Sequence, residues 1–82
     1  MTLEQTGFEI LIASSPAHEC VTAEIYYEGL FVALLNSDDG LDRLNLEWPG
    51  TDMDERQVTR RVRLHGFLNA LEQAAKMLRG DP

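Results

Sequence analysis

Cysteine occurs once, proline three times, and no apolar run exceeds Leu30 to Leu35 in this chain of 82 residues. A lone Cys20 excludes an internal disulfide, in keeping with a reducing compartment. A helix that spans a bilayer needs about 20 apolar residues, so none is expected, and no basic stretch followed by an apolar segment opens the chain. These absences lead to the expectation of a soluble, cytoplasmic protein with no membrane partner. Bases are scarce as well: seven Lys and Arg stand against fourteen Asp and Glu, a net charge of −7. Such a surface repels phosphate backbones and anionic headgroups, so nucleic acid is not expected as a partner. Length sets a further bound. One small domain over residues 1–82 buries only roughly 60–65% of the surface its unfolded chain exposes, which leaves few residues to wall a deep pocket. The expected role is therefore not enzymatic and needs no cofactor.

What is present is unevenly arranged. Residues 1–55 carry a charge of −11 and residues 56–82 one of +4. Asymmetry of this kind points to a partner or to pairing of the two halves within one fold. Phe8, Ile10 and Ile12 alternate with Glu9 and Leu11, which predicts a strand over Gly7 to Ser14. Val21 to Tyr27 is β-branched and aromatic, with Val21, Ala23, Ile25 and Tyr27 on one face and Thr22, Glu24 and Tyr26 on the other. Glu28-Gly29 supplies a tight turn into a third strand, Leu30 to Asn36. After Asp39-Gly40, the residues Leu44, Leu46 and Trp48 alternate with Arg43, Asn45 and Glu47 as a fourth strand, with Trp48 expected in the core. Val58, Arg60 and Val62 suggest a shorter fifth strand. From Leu64 the period changes: Leu64, Phe67, Leu68, Leu71, Ala74, Ala75 and Leu78 form the stripe of an amphipathic helix closed by Gly80 and Pro82. His65 and Gly66 are weak helix starters. The expected fold class is α+β: an antiparallel meander of four to five strands with one C-terminal helix packed on one face.

A single helix covers one face, so the second face meets solvent or a partner. Its polar and aromatic residues are the candidate partner-binding set: Glu9, Glu24, Tyr26, Asn45 and Glu47, joined by Asp52 and Asp54 from the loop after Pro49-Gly50. Tyr26, flanked by carboxylates, has the character of an interface anchor. The run His18-Glu19-Cys20 holds three metal-ligand types, but neighbouring residues point apart and the chain offers only His65 as a further histidine, so no metal site is expected. Asp52-Met53-Asp54-Glu55 lacks the glycine and later glutamate of a calcium loop. Arg60, Arg61 and Arg63 are expected to pair across strands with Glu9, Glu24 or Glu47.

The segments Ala23-Glu24-Ile25-Tyr26-Tyr27-Glu28-Gly29, Val32-Ala33 and Leu44-Asn45-Leu46-Glu47-Trp48-Pro49, with Phe67, Leu71, Ala75 and Leu78 in the closing helix, resemble small bacterial immunity proteins. These belong to contact-dependent growth inhibition and related polymorphic toxin systems, and the resemblance runs over about residues 8 to 79. It implies a non-enzymatic role, tight binding to a cognate toxin domain, often a nuclease; the chain itself is expected to be a monomer or weak homodimer. A nuclease that grips phosphates is basic, and an acidic surface both steers it and imitates its substrate. The alternative from another class is a self-associating regulatory or scaffold module with no toxin partner.

Overall fold

The computed structural model describes residues 6–80. Glu4 and Asp81 of the charge argument, and the Pro82 expected after the helix, lie outside the described residues. Four strands, β1 (Phe8–Ala13), β2 (Thr22–Tyr27), β3 (Leu30–Asn36) and β4 (Asn45–Glu47), form one antiparallel sheet in the order β1-β2-β3-β4. Helix α1 (Leu64–Arg79) packs on it. This is the α+β meander that the alternation and the change of period predict. The β2–β3 hairpin turns through Glu28 at φ 51° and Gly29 at φ 84°. Two consecutive positive φ values match the right-handed twist of the strands, and Gly29 adopts its value without a Cβ penalty.

The core lies between α1 and one sheet face. Phe8, Ile10, Ala23, Ile25 and Ala33 are fully buried there, and Phe67, Ala70 and Ala74 meet them from the helix. The helix rotation differs from the expected stripe, because Leu64 and Leu68 are 66% and 52% exposed whereas Ala70 and Ala74 are fully buried. Gly66, Ala70 and Ala74 recur every four residues and so share one side of the helix. With only small residues there, the helix backbone approaches β1 and β2 closely enough that a Cβ on Gly66 would lie 2.7 Å from Phe8 Cε2. The larger leucines flank this ridge: Leu71 and Leu78 pack partly against the core, and Leu64 and Leu68 do not. Gly80, at φ 75°, closes the helix by giving its N–H to the Lys76 and Met77 carbonyls.

Two further expectations are corrected. There is no fifth strand among the described residues: a 3-10 turn over Glu55–Gln57 leads to Val58, which makes one parallel bridge to Phe31. The Thr59 N–H donates to the Phe31 carbonyl at 3.0 Å, after which the chain turns away toward α1. Trp48 is not core but 62% exposed, because α1 lies over β1 and β2 and leaves the β4 side of the sheet uncovered. Its ring meets the core ring Phe67, with centroids 6.0 Å apart.

Candidate functional site

The face away from α1 is built from cross-strand rows. Leu11, Glu24, Leu34 and Glu47 stand side by side across all four strands, and the next row places Glu9 beside Tyr26 and Phe31. The second row depends on a bulge. Ile25 pairs with Ala33 but Tyr26 pairs with Phe31, so Val32 is the extra residue. Inserting one residue reverses the alternation. Val32 and Ala33 therefore both enter the core, and Phe31 turns to the open face, where its ring meets Tyr26 edge-on at 5.7 Å. Carboxylates and apolar side chains thus alternate on a rigid surface. The loop after β4 folds beside it, and the two enclose an open groove of about 820 Å³ lined by Glu24, Tyr26, Leu34, Glu47, Trp48 and Asp52.

Of the seven candidate residues, four line this groove: Glu24, Tyr26, Glu47 and Asp52. Glu9 adjoins it through its register with Tyr26. Asn45 and Asp54 are not brought to it. Asn45 sits at the far end of β4 and donates its amide to Asn36 Oδ1 and Asp39 Oδ2. Asp54 caps the 3-10 turn, accepting from the Arg56 backbone at 2.9 Å and its guanidinium at 3.1 Å. That pairing holds the Asp54 carboxyl below its ordinary range. The expected arginine pairs with Glu9, Glu24 or Glu47 are also absent from the ion pairs of the described residues. Arg60 binds Glu55 instead, five residues back and within reach without crossing the sheet.

Glu47 has a partner the strand pattern does not disclose. The β1–β2 loop arches over the open face, and His18 Nε2 lies 2.6 Å from Glu47 Oε2. Asn36 donates its amide to the same oxygen. Thr22 and Asn36 are 1% and 5% exposed even though they belong to this otherwise open side. The only sequence signal for the clasp is a histidine in a loop, since its partner lies 29 residues away. Cys20, further along the loop, is exposed, and its backbone N–H donates to Asp38 Oδ1. Tyr26 donates its hydroxyl to Glu24 Oε1 at 3.0 Å. Burial, and then this bond, push the phenol upward, so the hydroxyl keeps its proton as a donor at neutral pH.

The clasp has a pH signature. The Glu47 hydrogen bond raises the His18 imidazole above 6.5 against the opposing effect of burial, with Asp38 adding a smaller attraction. The His18 hydrogen bond lowers Glu47 below 4.5. A raised histidine contributes stability that is complete below its unfolded value and lost as pH climbs through its folded value. A lowered carboxylate contributes above its unfolded value and loses it as pH falls through its folded value. Both contributions coincide between pH 4.5 and 6.5. In urea melts at a series of pH values, His18→Gln is expected to cost most, on the order of 1 kcal/mol, in that window, and less above and below it. A deficit that stays constant from pH 4 to 9 would show packing rather than charge at work.

No family model, no curated protein and no solved structure matches the chain. No helix among the described residues is long and apolar enough to cross a membrane.

Proposed function

We propose that the chain is an immunity protein that binds a cognate toxin domain, a basic nuclease, and neutralises it without catalysis. The observation that carries this reading is the row Leu11, Glu24, Leu34 and Glu47 beside Tyr26, on a sheet face that α1 leaves uncovered. Fixed carboxylates spaced by leucines combine the two needs of such a complex. The acids draw in a basic surface, and the apolar side chains supply the area that holds it. Because strands carry these groups, little ordering entropy is lost on binding.

The test is binding to the C-terminal domain of a large secreted protein encoded directly upstream. Glu24→Lys with Asp52→Lys is the informative pair, since Glu47 also secures His18 and Asn36. The double reversal is expected to weaken binding about 100-fold and to flatten its dependence on salt. Asp38→Asn with Asp39→Asn, in the exposed turn, should lower chiefly the association rate. Equal small losses from both variants would remove this face as the binding surface. A stable homodimer, with no toxin gene upstream, would support the self-associating module instead.

A further inference from the structure

Trp48 is a ridge between two surfaces of opposite character. On one side lies the acidic groove, and on the other an apolar cleft of about 570 Å³ walled by Val32, Trp48, Val62 and Phe67, with Arg60 and Arg61 among its lining residues. A second cleft, about 500 Å³, continues from it past Tyr27, Arg63 and Leu64 and shares Arg61 and Val62. The two clefts make one trough with Arg61 at its centre. The arginines are the informative feature. Arg56, Arg60 and Lys76 each hold a carboxylate, whereas Arg61 and Arg63, like Arg43 and Arg79 elsewhere on the surface, have no ion pair among the described residues, and only Arg61 and Arg63 of these four line a cleft.

Their position also works against stability. They precede α1, whose first turn carries no acid and whose N-cap, Arg63, makes no side-chain bond. Positive charge at that end opposes the helix dipole. The Arg61 backbone is nonetheless fixed: its N–H donates to Thr59 Oγ1, the same hydroxyl donates to the Arg61 carbonyl, and Thr59 is tied to β3 through Phe31. In the clefts that Arg61 lines stand Trp48 at 62% and Leu64 at 66% exposure. Exposed tryptophan and unpaired arginine on a rigid backbone are the groups that carry most binding energy in protein interfaces.

We propose that this trough docks an acidic segment of a partner protein, seated by one large apolar side chain against Trp48, Val62 and Phe67. Charge complementarity selects the occupant, with Arg61 at the border of the anchor cleft and Arg63 beyond it receiving carboxylates. Single-stranded RNA fits less well, because binding it relies on several aromatic platforms along a basic channel, and here one exposed ring is bordered by an acidic groove.

The probe is a phage-displayed library of random dodecapeptides selected on the whole protein, followed by affinities of the enriched peptides and of a single-stranded RNA oligonucleotide. Expected are acidic sequences with one aromatic or aliphatic residue. Their binding should fall about tenfold or more with Arg61→Glu plus Arg63→Glu and with Trp48→Ala, and should survive Glu24→Lys plus Asp52→Lys. The arginine variant should melt no lower than the parent, which separates lost binding from lost fold. Enrichment of basic peptides, no enrichment, indifference to the arginine reversal, or preferential binding of the RNA would each overturn the proposal. The acidic groove is read through different variants, so failure here leaves the toxin-binding reading standing, and the reverse.

Discussion

Ala70→Asp is expected to cost about 3–5 kcal/mol, comparable to the whole stability of a domain this small, and to abolish a cooperative melt near the parent temperature. Ala70 is fully buried in the helix face against β1 and β2, so a carboxylate there has neither water nor a counter-charge. Leu71→Asp should cost less, about 2 kcal/mol, because Leu71 is only partly buried against the core. Leu68→Asp should change stability by no more than about 0.5 kcal/mol, since Leu68 is 52% exposed. Urea denaturation of the three variants tests the rotation of α1 directly. A Leu68→Asp loss equal to that of Ala70→Asp would require the helix to turn its leucine stripe inward.

Gly66→Ala should destabilise by about 1–3 kcal/mol, although propensity alone favours alanine inside a helix by about 1 kcal/mol. The added Cβ would meet Phe8 at 2.7 and 3.1 Å. The Phe8 ring has little room to move, being fully buried with Tyr27 at 4.5 Å and Phe67 at 6.4 Å between centroids. Overpacking here must shift the helix or force a side chain off its rotamer. Phe8→Leu removes Cε2, the atom the Cβ would approach most closely, so the double variant should lose less than the two single variants together, with a coupling of about 1 kcal/mol. Thermal melts of the four proteins measure it. A stabilising Gly66→Ala would show that α1 stands further from β1.

Trp48 gives the two proposed surfaces a common border, and this bears on how a partner is held. The acidic groove and the Arg61 trough carry different signs of charge, so a partner with both a basic face and an acidic segment is matched in register as well as in net charge. Such opposed patches reject partners of uniform charge, because one half of the contact is then repulsive. The −11 and +4 division along the chain is the sequence form of this arrangement.

Strand periodicity, the Glu28-Gly29 turn and the change of period at Leu64 were enough to define an antiparallel meander with a closing helix, because period two and period 3.6 follow from backbone geometry alone. The same alternation assigned Glu24, Tyr26 and Glu47 to one face, since neighbouring antiparallel strands keep side-chain parity across the sheet. Three features were decided only by tertiary packing. The bulge at Val32 was hidden because residues 30 to 35 are all apolar, and a uniform run carries no phase from which a slip can be read. The helix rotation followed from how closely backbones approach, which favours glycine and alanine at Gly66, Ala70 and Ala74, whereas hydrophobicity favours the leucines. The His18–Glu47 clasp arose from a loop crossing the sheet, and contacts between residues far apart in sequence leave no periodic trace.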